Sequence, residues 1–152
     1  MMRPDSIRLA PWHQAAVYGA TVVLVVSGLV WVVLHYFAQQ KGDFGASPHP
    51  LEPWMLRIHG AAAMAGLVIY GSLLPIHIRR AWALRRNIFL GITLVTFMLL
   101  LTATAYLLYY AGDEKLRPII SLMHWIIGLA VAPLLTWHVI SGRLQTRVGE
   151  SR

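Results

Sequence analysis

The chain has 152 residues, of which 57% are hydrophobic and 12% charged, and it carries a formal net charge of +7 at pH 7. That is one domain's length with too little polar surface for a water-soluble globule, and residues 1–152 read as a single membrane domain. The lack of cysteine excludes disulfides, thiolate-held iron–sulfur clusters and thioether-attached haem, and the cations stand beside apolar runs, where membrane topology explains them better than nucleic acid does.

A basic lead with Arg3 and Arg8 precedes an uncharged run from Trp12 to Phe37. This run exceeds the roughly 7–15 residues of a signal-peptide core, so it is read as a retained membrane helix with Trp12 and Tyr36 as interfacial anchors. Residues 38–53 are punctuated by Gly, Ser and Pro, which predicts a loop with room for a short surface helix. Three further apolar runs follow, at about 54–78, 88–110 and 118–141. Each is close to the roughly 20 residues needed to cross a bilayer. Pro53 suits the first turn of the second helix, whereas Pro75 and Pro133 fall inside helices and should bend them.

The predicted fold is therefore all-α: an antiparallel, up-and-down four-helix membrane bundle. Nine Lys and Arg residues lie in the N-terminal lead, the 79–86 loop and the C-terminal tail, against four (Lys41, Arg57, Lys115, Arg117) on the other side. That asymmetry predicts a membrane protein with both termini in the cytoplasm. No Asp, Glu, Lys or Arg stands in the middle of a span, which leaves a carboxylate-relay pump little to work with.

Histidine carries the chemical signal. The fourth run, SLMHWIIGLAVAPLLTWHVIS, holds His124 and His138 fourteen residues apart. On a helix that is roughly 21 Å of rise and a return to within roughly 40° of the starting direction. Two imidazoles on one face at two depths suggest two stacked sites, and haem held by neutral imidazoles is the natural occupant. Antiparallel helices place His13, His77 and His138 towards the cytoplasm and His35, His59 and His124 towards the outside, with His49 in the loop. His59 pairs with His124 by depth, His35 being too shallow. His138 is left with His13 or His77. His77 abuts Arg79 and Arg80 at the interface, so His13 is the better partner. The third helix has no histidine and reads as a packing helix. Gly60, Gly66 and Gly128, with Gly19 and Gly28, would give a macrocycle room or let helices approach closely. Arg57 and Arg117 are candidates for outer haem propionates, and Arg79, Arg80 or Arg143 for inner ones. Positive-inside topology explains the 79–86 loop better.

These residues resemble the cytochrome b subunits of respiratory formate dehydrogenases and nickel–iron hydrogenases and the bacterial cytochromes b561. The resemblance rests on PWHQ at the start of helix one (His13), Ser27-Gly28 further along it, RIHG in helix two (His59) and MHW…TWH in helix four (His124, His138). It covers essentially the whole chain. The chain is also similar to small four-helix cytochromes found beside flavinylated extracytoplasmic electron carriers. His77 and the short length depart from the pattern. The resemblance implies two bis-histidine b-type haems, His59 with His124 and His13 with His138. Its further implication is electron transfer between an outer-face redox partner and the quinone pool, as a subunit of a respiratory oxidoreductase. The chain has no dehydrogenase domain, so it is not expected to be a catalyst on its own. A quinone pocket near the inner haem, with His77 as a hydrogen-bonding or proton-transfer group, is a further expectation. Two other classes compete. One is a zinc or copper carrier built on paired imidazoles, although Met64, Met98 and Met123 are scattered. The other is a cofactor-free membrane anchor for an enzyme.

Overall fold

The computed structural model describes residues 9–42, 45–85 and 87–150. Arg3 and Arg8 of the basic lead, together with Asp43, Arg86 and Arg152, lie outside the described residues.

Helix α1 (Pro11–Phe37) starts from Ala10 in extended conformation with Pro in its first turn, where a missing N–H costs nothing. The connection that follows carries a two-stranded hairpin instead of a surface helix. Strands β1 (Gln40–Gly42) and β2 (Gly45–Ser47) pair antiparallel, with Lys41 opposite Ala46. Gly45, at φ +116°, supplies a backbone conformation that other residues rarely adopt.

Helix α2 (Glu52–Gly71) is shorter than the predicted run. Glu52 and Pro53 open it, the carboxylate standing where the helix dipole favours negative charge. Pro75 does more than bend the chain. The α-helix stops at Gly71, resumes as a π-helical turn over Leu74–Ile78 and passes into the short helix α3 (Arg79–Ala83). A proline inside a helix cannot donate to the i−4 carbonyl, and a widened turn accommodates that loss. Arg85 and Asn87 then take positive φ values of 48° and 52°, and Asn is among the residues best suited to that region. Helix α4 (Ile88–Tyr110) has the predicted bounds. Helix α5 (Leu116–Glu150) continues through Pro133 and runs nine residues past the predicted end, since nothing after Ser141 but Gly142 opposes a helix until Gly149.

Two units result. In the first, ending at His77, α1 packs along α2; in the second, from Ile78, α4 packs along α5. Both are helical hairpins, closed by the 38–51 and 111–115 connections respectively. Their interiors invert the usual order. The buried residues include Thr21, Ser27, Glu52 and Thr104 beside Val17 and Val131, while Val22, Val68, Phe89 and Leu99 are exposed. Lipid makes that arrangement favourable, because polar groups need partners there and apolar side chains do not need cover. Among the described residues, three helical stretches, Pro11–Phe37, Ile88–Tyr110 and Leu116–Gln145, are long and apolar enough to cross a membrane. Helix α2 is not among them; Glu52, Arg57 and His59 fall within its first eight residues and lower its hydropathy.

Candidate functional site

Each hairpin carries histidines at two levels, and at each level the ring is held by a polar side chain of the facing helix. Near the closed end of the first hairpin, His59 Nδ1 on α2 lies 3.0 Å from Ser27 Oγ on α1. Near the closed end of the second, His124 Nδ1 on α5 lies 2.8 Å from Thr104 Oγ1 on α4. At the open end of the first, Ser72 Oγ meets His13 Nε2 at 2.9 Å. At the open end of the second, Asn87 Nδ2 lies 3.2 Å from His138 Nδ1 and 2.9 Å from the His138 carbonyl. The two levels are about 20 Å apart within each hairpin, at about 1.5 Å rise per residue.

The hydroxyl partners have only one proton each. Ser27 Oγ lies 2.6 Å from the Val23 carbonyl and Thr104 Oγ1 lies 2.8 Å from the Leu100 carbonyl. A carbonyl only accepts, so those hydroxyl protons are committed to the helix backbone, as Ser and Thr in helices commonly commit them. The imidazole is therefore the donor: Nδ1–H of His59 donates to Ser27, and Nδ1–H of His124 donates to Thr104. In a neutral imidazole with hydrogen on Nδ1, Nε2 carries the lone pair. That is the tautomer a metal-ligating histidine needs, and a second-shell acceptor on the other nitrogen is its usual companion.

The open ends differ. Ser72 Oγ gives its proton to the Ile69 carbonyl at 2.6 Å, so His13 donates through Nε2–H. The His13 ring also stacks on Trp12, with centroids 4.9 Å apart and planes inclined by 11°. At His138 the Asn87 amide is the donor, which puts the ring hydrogen on Nε2. Tested against axial ligation through Nε2, the closed-end level fits as it stands. The open-end level fits only with the Asn87 amide turned end for end and the Ser72 contact released.

Space around the rings follows the same division. A Cβ added at Gly28 would stand 3.3 Å from His59 Cε1, so glycine there makes room for the ring. Gly91 does the same more loosely for His138, at 3.7 Å from Cε1. Gly60 has nothing within 4 Å of an added Cβ, and Gly128 meets Leu101 at an ordinary 3.8 Å. Gly19 and Ala20 of α1 line an apolar groove of about 430 Å³ with Ala61, Ala62 and Ala65 of α2. Trp125, beside His124, has a buried indole N–H with no hydrogen-bond partner.

The remaining expected residues fall elsewhere. His77 lies in the π-helical turn. The Arg57 guanidinium sits over the Trp54 ring, 4.9 Å from its centroid. His49 is in the loop and accepts from the Leu51 N–H. His35, set aside by depth, has a role of its own: Nδ1 meets the buried Glu52 carboxylate at 2.5 Å, and the ring stacks on Trp31. Sequence reasoning missed Asn87, Gly91 and Thr104 because α4 has no histidine of its own and was assigned to packing. Four-residue spacing from Asn87 to Gly91, one face of a helix, was the available signal. Among the described residues, no three of His, Asp and Glu come together as a metal-ligand group. Comparison with protein-family models, with curated proteins and with solved structures finds no match.

Proposed function

We propose that the chain is a di-haem b-type membrane cytochrome that carries electrons between an outer-face redox partner and the quinone pool. One observation carries this reading: in both hairpins Nδ1 of the closed-end imidazole lies within hydrogen-bond distance of a buried hydroxyl on the facing helix, a partner of the kind that metal-ligating histidines have. The residues that would hold haem are His13, His59, His124 and His138. Haem held by these imidazoles would supply reversible one-electron chemistry. The protein's share is to orient the rings, keep water away with apolar helices and set ligand basicity through Ser27, Thr104 and Asn87.

In this reading α2 and the π-helical turn together form the fourth span, with both termini cytoplasmic as the nine-to-four distribution of cations requires. His77 would face a quinone near the cytoplasmic side and exchange its protons. Redox partner subunits or an extracytoplasmic carrier supply the other end of the path.

The test is a dithionite-reduced minus air-oxidised absorption spectrum of the purified chain, with haem quantified. A sharp ferrous b-type α-band with about two haems per chain, one for every two histidine ligands, supports the cytochrome. A colourless protein, from cells that make other b-type cytochromes, overturns it. Stoichiometric zinc or copper in that colourless protein points to a metal carrier, and partner activity that survives loss of His59, His77, His124 and His138 points to an anchor.

A further inference from the structure

The two closed-end histidines share a device that chance contact explains poorly. On α1 and on α4, a hydroxyl residue spends its proton on a carbonyl of its own helix and turns its oxygen towards the imidazole on the next helix. Ser27 is 3% exposed and Thr104 is 7% exposed, so water does not compete for either oxygen. Both are acceptors only, at distances of 3.0 and 2.8 Å from the ring nitrogen. The glycine after Ser27 lets the His59 ring approach. At the open end of the second hairpin the polarity is reversed, because an amide N–H of Asn87 faces His138 Nδ1.

We propose that Ser27 and Thr104 are positioning residues that hold His59 and His124 in the Nδ1–H tautomer, so that Nε2 of each ring carries the lone pair. Its consequence for haem rests on the cytochrome reading above; the tautomer itself does not. A ligand whose N–H is donated to an acceptor is a stronger base towards iron, and favours the ferric state over the ferrous. Removing the acceptor therefore raises the midpoint potential of the haem that ring serves and weakens its retention.

The experiment compares Ser27→Ala with Ser27→Thr, and Thr104→Ala with Thr104→Ser, in the full chain. Two readouts are taken. The first is ¹⁵N NMR of ring-labelled histidine in the chain purified without haem. It should give Nδ1–H at His59 and His124, Nε2–H at His138, and a mixture at the ring concerned in each alanine variant. The second is redox titration of the haem-loaded chain. Each alanine variant should shift one haem upwards in potential and loosen its binding roughly tenfold, the scale typical of lost second-shell partners. Thr at 27 and Ser at 104 should restore both. Nε2–H at His59 or His124 in the unsubstituted chain overturns the proposal, even if haem binds. Alanine variants that leave tautomer and potential unchanged overturn it as well. A chain that takes up no haem but shows Nδ1–H at both rings, lost with alanine, removes the cytochrome reading and leaves the positioning role standing.

Discussion

Asn87 grips His138 twice, with its amide nitrogen 3.2 Å from the ring Nδ1 and 2.9 Å from the backbone carbonyl of the same residue. Asn87 is also the residue before α4 and holds φ +52°. Glycine at this position keeps the backbone and loses the side chain, whereas alanine loses the side chain and strains the backbone by about 1 kcal/mol. Asn87→Ala should therefore unfold more readily than Asn87→Gly in denaturant titrations in micelles, although alanine is the better helix former. Equal stabilities, or the reverse order, would show that the left-handed conformation is not what Asn87 is there to provide.

The spacing of glycines against imidazoles predicts a second asymmetry. An added Cβ at Gly28 would stand 3.3 Å from the His59 ring, tighter than most real contacts, while at Gly91 it would stand an ordinary 3.7 Å from His138. Gly28→Ala should displace the His59 ring and lower haem content towards one per chain. Gly91→Ala should leave two haems and gain slightly in helix stability. Pyridine haemochrome quantification separates the two; loss of haem in Gly91→Ala with retention in Gly28→Ala would contradict the geometry.

The separation of His13 from His59 in the first hairpin, and of His124 from His138 in the second, was legible because apolar run lengths and a rise of about 1.5 Å per residue determine it. Ser27-Gly28 entered only through the resemblance to membrane cytochromes b, with no partner assigned to Ser27. The partners on α4 were not legible. Thr104 and Asn87 matter through the direction of one hydrogen each, and no sequence periodicity encodes which proton a hydroxyl has already spent. The β-hairpin between β1 and β2 was missed because three-residue strands carry no alternation long enough to read. Helix α2 was expected to run on to residue 78. Pro75 signals a bend, but not the turn at Ser72 and Leu73 or the π-helical register of Leu74–Ile78 that follows it.

Thr21 and Tyr70 make a similar proton-committed pair. Thr21 Oγ1 donates to the Val17 carbonyl at 2.8 Å, so the Tyr70 hydroxyl donates to Thr21, at 2.7 Å. Tyr70→Phe removes one interhelical hydrogen bond, worth about 0.6 kcal/mol in a membrane protein. Thr21→Val instead leaves the tyrosine hydroxyl without its acceptor, a loss of about 1–3 kcal/mol where water cannot replace it. Unfolding in mixed micelles should rank Thr21→Val as the more damaging of the two, and the opposite ranking would place the donor on Thr21.

The ion pair at the loop end should be structural. His35 and Glu52 join the last turn of α1 to the first residue of α2. Glu52→Gln weakens a charge-assisted contact to a neutral one, at about 1 kcal/mol, and should leave both haem spectra unchanged. His35→Gln should behave alike. Loss of one haem in either variant would return His35 to the ligand set and remove His59 or His124 from it.

Ring tautomers also predict the order in which haem enters. On the proposed tautomers His59 and His124 carry the lone pair on Nε2, whereas His13 and His138 would first have to release Ser72 and turn the Asn87 amide. The closed-end level should therefore fill first when haem is titrated into chain purified without it. At half-saturation, the midpoint potential should match that of His13→Ala, which keeps His59 and His124 alone. A match to His59→Ala would mean that the open end loads first, and that moving one serine and one amide costs less than the preset tautomer gains.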